Sequence, residues 1–125
     1  MRYPPRRGGS PRFLGLRGTE ESHHAEAIAA LEGAAETFGA ASKEAAQDAC
    51  GIARDQLLRG SQFAGIARCH IEGTERRDER LEAKLAASDS QRERTLQEVG
   101  ACFARLTAKG APPGWDPERA GRIEF

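Results

Sequence analysis

Apolar and small residues recur at alternating spacings of three and four along most of this sequence, the rhythm of helices packed on narrow seams. One run reads Ile28, Leu31, Ala35, Phe38, Ser42, Ala45, Ala49 and Ile52; it then crosses Gln56 and Arg59, which break it, and meets Phe63 and Ile66. A second reads Leu81, Leu85, Ser88, Arg92, Thr95, Val99, Cys102 and Leu106, widened by Leu96 and Phe103. The expected fold class is therefore all-α.

Between the two runs lies "EGTE". Gly73 suits the end of a helix, and Thr74 suits the cap of the next. The expectation is a long antiparallel helical hairpin over residues 19–109, turning near 73–75. In such a hairpin, facing residue numbers sum to a constant. Ile66 with Leu85, Ile52 with Val99 and Ala45 with Leu106 share one sum; Cys50 with Cys102 and Ile71 with Leu81 share a sum one larger. The first run is longer than the second, so the stretch 20–40 folds back as a third helical segment or packs on another chain. "GTEES" offers Thr19 or Ser22 as the first cap, with Glu20 and Glu21 favourable at the positive end of a helix dipole. "RGSQ" at 59–62 is the expected interruption of the first run, with Ser61 as a new cap. Ser90 and Glu93 have capping-box spacing, but the second run stays in phase across them and is expected to be one helix.

Large side chains are scarce: aromatic residues make 6% of the chain and charged residues 30%. Helices joined by thin Ala-rich seams fit this better than a thick core. The formal net charge is zero, from 19 basic and 19 acidic residues, but it is unevenly spread. Residues 1–18 hold Arg2, Arg6, Arg7, Arg12 and Arg17 and no acid, leaving the rest of the chain at −5. This Pro/Gly/Arg-rich segment reads as an extended basic arm able to meet RNA, an anionic lipid surface or an acidic protein face. Its acid-free, Arg-rich character leans toward mitochondrial targeting, although Pro4, Pro5 and Pro11 oppose an amphipathic helix. No secretory apolar core and no transmembrane segment are expected.

The tail at 110–125, "GAPPGWDPERAGRIEF", reads as a second extended arm that docks on a partner. Trp115, Ile123 and Phe125 are its anchors, since Trp is enriched at interface centres. On the N-terminal arm the corresponding partner-binding residues are Arg6, Arg7, Arg12, Phe13, Leu14 and Arg17. Trp115 packed back on the hairpin end is the alternative.

Little points to catalysis. There is no Gly-rich phosphate loop and no nucleophile elbow; Ser61 in "RGSQF" lacks the second glycine. Glu20-Glu21 and Asp78-Glu79 read as solvated helix faces. Cys50, Cys69 and Cys102 contain no Cys-x-x-Cys pair, and His23-His24 with Cys69-His70 match no zinc spacing, because helical neighbours point about 100° apart. No catalytic residue, cofactor or metal is assigned. Cys50 and Cys102 share one level of the hairpin and are candidates for a disulfide, with two buried thiols as the alternative. The functional expectation is a non-catalytic accessory or structural subunit of a multi-protein assembly, with a mitochondrial respiratory complex as the leading setting. An RNA-contacting ribonucleoprotein subunit and a stand-alone coiled-coil homodimer are the rivals.

Overall fold

A computed structural model describes residues 16–110, with side chains from residue 20 onward. They form three helices: α1 at Leu16–Ala46, α2 at Cys50–Glu72 and α3 at Glu79–Ala108. The chain is all-α, and no strand occurs among the described residues. At about 1.5 Å per residue the helices run roughly 46, 35 and 45 Å.

Cross-helix partners give the topology. His23 meets His70 and the Phe38 ring lies against Gly60, so α1 and α2 are antiparallel. Cys50 meets Cys102, Arg92 Nε donates to Ser61 Oγ at 3.0 Å and Arg68 pairs with Asp89, so α2 and α3 are antiparallel. Gln91 donates to the Ala35 carbonyl at 3.2 Å, and Ser42 donates to Glu98, so α1 and α3 run parallel. The result is an up-down-up bundle.

The break that creates the third helix falls at 47–49, not at 59–62. Asp48 adopts a left-handed φ of 61°, and Ala49 starts α2 without a side-chain cap. Asp tolerates that conformation better than most residues. Arg105 of α3 and Lys109 just beyond its end hold the corner. Arg105 donates from Nε to Asp48 Oδ1 at 3.0 Å and from Nη2 to the Ala45 carbonyl at 2.8 Å. Lys109 Nζ adds a contact to Asp48 at 3.5 Å. The "RGSQ" segment stays helical because Gly60 and Ser61 are buried there. A Cβ at residue 60 would stand 2.7 Å from the Phe38 ring, so the glycine makes room for the largest fully buried side chain.

The α2–α3 connection spans residues 73–78. Gly73 ends α2, its N–H donating to the Cys69 carbonyl at 3.0 Å, while the Thr74 N–H donates to the Ile71 carbonyl at 3.3 Å. Thr74 does not cap α3; its hydroxyl closes the loop onto the carbonyls of Ile71 and Arg76. Asp78 is the cap, accepting from the backbone of Arg80 at 2.9 Å and Leu81 at 3.4 Å. α3 continues unbroken through Ser88–Ser90. At the other end, α1 begins at Leu16, so 16–18 of the basic segment are helical and neither Thr19 nor Ser22 starts the helix.

The core divides into two clusters. One gathers Ala34, Phe38, Ala41, Ala45, Cys50, Ala53, Leu57, Ala64, Val99 and Cys102; the other gathers Ala27, Ala30, Leu31, Ala67 and Leu81. Alanine dominates both, which lets the backbones approach closely. α3 buries Leu81, Ser88, Thr95, Val99 and Cys102, all members of the second sequence run. On α2 the face differs from the expected one. Cys50, Ala53, Leu57, Gly60, Ser61, Ala64 and Ala67 point inward, while Ile52 and Ile66 point out. The pairings of Ile52 with Val99 and Ile66 with Leu85 are thus not made across the core. The reason is that α1 folds back on α2, which must then serve two neighbours with small residues.

Candidate functional site

The chain contains three histidines, and the bundle brings all of them to one end. His23 and His24 lie in the early part of α1, while His70 lies in the last turn of α2. Because α1 and α2 are antiparallel, residues 47 apart in sequence become neighbours. The Nδ1 atoms of His23 and His70 stand 2.9 Å apart, with ring centroids 5.1 Å apart and planes tilted by 50°. One Nδ1 must carry the proton and the other accept it.

His24 takes a different direction, as adjacent helical residues must. Its Nδ1 lies 3.5 Å from Asp78 Oδ2, on the residue that caps α3. The Glu75 backbone N–H donates to Glu20 at 2.9 Å, tying the loop to the start of α1. Gly73 abuts His23: a Cβ at that position would stand 3.4 Å from the ring's Nε2 and Cε1 atoms. All three helices and the 73–78 loop therefore meet around these rings.

The pair is only part-buried, yet the electrostatics of His70 are altered. Burial, followed by the neighbouring His23, lowers the His70 pKa from its ordinary 6.5; the Glu26 carboxylate pulls the other way. The neutral imidazole is therefore favoured at His70. Cys69 precedes it in sequence and is an exposed free thiol. Beside this cluster runs a shallow groove of about 240 Å³, lined by Glu20, Glu21, His24, Ala25, Thr74, Arg76, Asp78 and Leu81. Glu20-Glu21 and Asp78-Glu79 sit on that same end, where Asp78 works as a cap rather than as one of a pair of acids. No group of three or more His, Cys, Asp or Glu side chains arranged to hold a metal occurs among the described residues.

The second local feature is the Cys50–Cys102 disulfide, which joins the first residue of α2 to the last third of α3. It lies at the opposite end of the bundle, beside the Asp48 corner. Most sequence-expected partner residues fall elsewhere: Arg6, Arg7, Arg12, Phe13, Leu14, Trp115, Ile123 and Phe125 lie outside the described residues, and Arg17 falls in the first turn of α1. Ser61 is buried and accepts from Arg92, so its hydroxyl is engaged in the α2–α3 contact.

The His23–His70 contact is not legible in the sequence, since it depends on a fold-back whose corner carries neither Gly nor Pro. The available signal was that every histidine falls near one of the expected helix ends. No known family, curated protein or solved structure matches the chain. No helix among the described residues is long and apolar enough to cross a membrane.

Proposed function

We propose that the chain is a non-catalytic helical subunit of a larger protein assembly, docking through the outward face of α2. The observation that supports this reading is the exposure of Ile52 and Ile66, at 56% and 45%, on a bundle whose interior is mostly alanine. A chain short of large apolar residues leaves two of its isoleucines outside. They lie fourteen residues apart, an integral number of near-heptads, and so share one face of α2 about 21 Å apart along the axis. Exposed isoleucines occur singly on many surfaces; two in register with Arg59 midway between them form a stripe of the kind that lies along a partner helix.

The disulfide argues for a compartment in which thiols are oxidised. The Arg-rich, acid-free start favours a mitochondrial setting, a respiratory complex among the candidates, with residues 1–18 on an anionic surface and the Trp115 segment on a protein neighbour. The same five arginines favour RNA contact as the second reading.

The experiment is affinity purification from the native source after cross-linking, with wild type compared with an Ile52→Glu/Ile66→Glu variant. Wild type should co-purify with a larger particle, and the variant should be lost from it while keeping the bundle's melting temperature. A wild-type chain recovered only as a monomer or homodimer overturns the reading. Recovery with RNA, with salt-sensitive binding lost on deleting residues 1–18, moves the function to a ribonucleoprotein.

A further inference from the structure

We propose that His23 and His70 form a proton-operated latch. The pair holds the start of α1 against the end of α2 while at most one ring is charged, and releases it when both are. The latch is separate from the outward α2 face proposed for docking.

Geometry carries it. The two Nδ1 atoms stand 2.9 Å apart on different helices. A hydrogen bond between two ring nitrogens needs one N–H and one lone pair. With both rings neutral, one Nδ1 donates and the other accepts. The first added proton goes to the free Nε2 of the donor ring. Its Nδ1–H still donates, and the bond strengthens because the donor is now charged. The second proton has only the accepting Nδ1 to go to. Taking it removes the lone pair, so two N–H groups and two positive charges face each other at hydrogen-bond distance. The contact turns from attraction to repulsion in that one step.

The surrounding charges fit this order. Burial and then the neighbouring His23 lower the His70 pKa from 6.5, against the pull of the Glu26 carboxylate. Neutral His70 therefore contributes stability that is fully present above 6.5 and is lost as pH falls from there through the lowered folded value. Most other charged groups at this end are already engaged. Glu20 accepts from the Glu75 backbone, Arg77 pairs with Glu82 and Arg68 pairs with Asp89. The side chains of Glu21, Glu72, Glu75, Arg76, Glu79 and Arg80 are exposed, where salt and water screen them. His24 responds in the opposite sense: once charged it attracts the Asp78 carboxylate, 3.5 Å away. Acid thus loosens α1 from α2 while leaving it tied to the cap of α3.

Beneath the latch lies the smaller core cluster of Ala27, Ala30, Leu31, Ala67 and Leu81. The disulfide is at the other end of the bundle and does not restrain it. Release therefore opens this end locally and gives Leu31 and Leu81 access to water.

The test uses the full chain, disulfide intact, taken from about pH 8 to about pH 5, a range in which imidazoles titrate and ordinary carboxylates stay charged. Imidazole ¹⁵N spectra should show His23 and His70 titrating in two coupled steps. Amide hydrogen exchange, corrected for the intrinsic effect of pH, should show protection at residues 20–31 and 67–78 falling by about fivefold or more with the second step, the size of one lost hydrogen bond. Protection at 50–57 and 95–102 should hold. His70→Gln, whose amide can still bond His23 but does not titrate, should lose the acid-dependent opening, and His24→Gln should keep it. Loss of protection at both ends alike, opening that follows the first step, opening that survives His70→Gln, or unchanged protection across the range overturns the proposal.

Discussion

Gly60 lies against the Phe38 ring more closely than a residue carrying a Cβ could. A methyl group at residue 60 would come within 2.7 Å of two ring carbons of a fully buried phenylalanine. Alanine gains about 1 kcal/mol over glycine in a helix interior, but overpacking a core costs about 1–3 kcal/mol. Gly60→Ala should therefore destabilise the bundle by up to about 2 kcal/mol. Gly39 is the internal contrast: it is helical too, and a Cβ there meets nothing within 4 Å. Gly39→Ala should stabilise by about 0.5–1 kcal/mol. Urea denaturation of the two variants beside wild type decides the matter, and equal shifts in the same direction would contradict the packing account. From sequence alone both glycines read as helix weakeners, because propensity is local while the Phe38 contact depends on how α1 folds back.

The helical elements were legible to different degrees, and the reason is the size of their buried residues. α3 was readable because its seam contains Leu81, Leu85, Val99 and Leu106, large residues that mark one face. α2 misled because its buried face is built from Ala53, Gly60, Ser61, Ala64 and Ala67, while Ile52 and Ile66 point away from it. The corner between α1 and α2 misled further, since "AAQDAC" contains neither Gly nor Pro and the left-handed residue is Asp48. That corner has a pH signature. The hydrogen bond from Arg105 is the main cause that lowers the Asp48 pKa from its ordinary 3.8; desolvation, the next largest effect, opposes it, and the charges of Arg105 and Lys109 add to the lowering. A carboxylate whose folded pKa is depressed contributes stability that is fully present above the unfolded value. It is lost as pH falls through the lowered folded value, so the window opens just below 4 and extends downward. Asp48→Asn keeps the left-handed preference and removes the charge. Its stability should be lower than wild type at neutral pH and converge with it in strong acid. Chemical denaturation at a series of pH values reads this directly, and parallel profiles would show that the Arg105 and Lys109 contacts contribute nothing.

For the molecule as a whole, the decisive link is between the Cys50–Cys102 disulfide and a core made chiefly of alanine. The helices have few large side chains to bury, so less stability comes from apolar area than a bundle of this length would gain from leucine. The disulfide closes a loop over 52 positions and attaches α2 to α3 at the end where the Asp48 corner also sits. Constraining an unfolded chain over such a loop stabilises by about 2–4 kcal/mol. The opposite end has no covalent tie and is held by the histidine pair, the His24–Asp78 contact and the Glu20 bond to the loop. Unequal support of the two ends predicts unequal opening. Reduction, or a Cys50→Ser/Cys102→Ser variant, should lower the melting temperature by roughly 8–30 °C, taking about 4–8 °C per kcal/mol for a small domain. Cys69→Ser should not change it, because that thiol is exposed and unbonded. Hydrogen exchange should localise the effect: on reduction, protection should fall first at the 47–50 corner and the last turns of α3, not at the histidine end. If reduction instead loosened both ends equally, the bundle would be one cooperative unit and the disulfide a general staple rather than a local one.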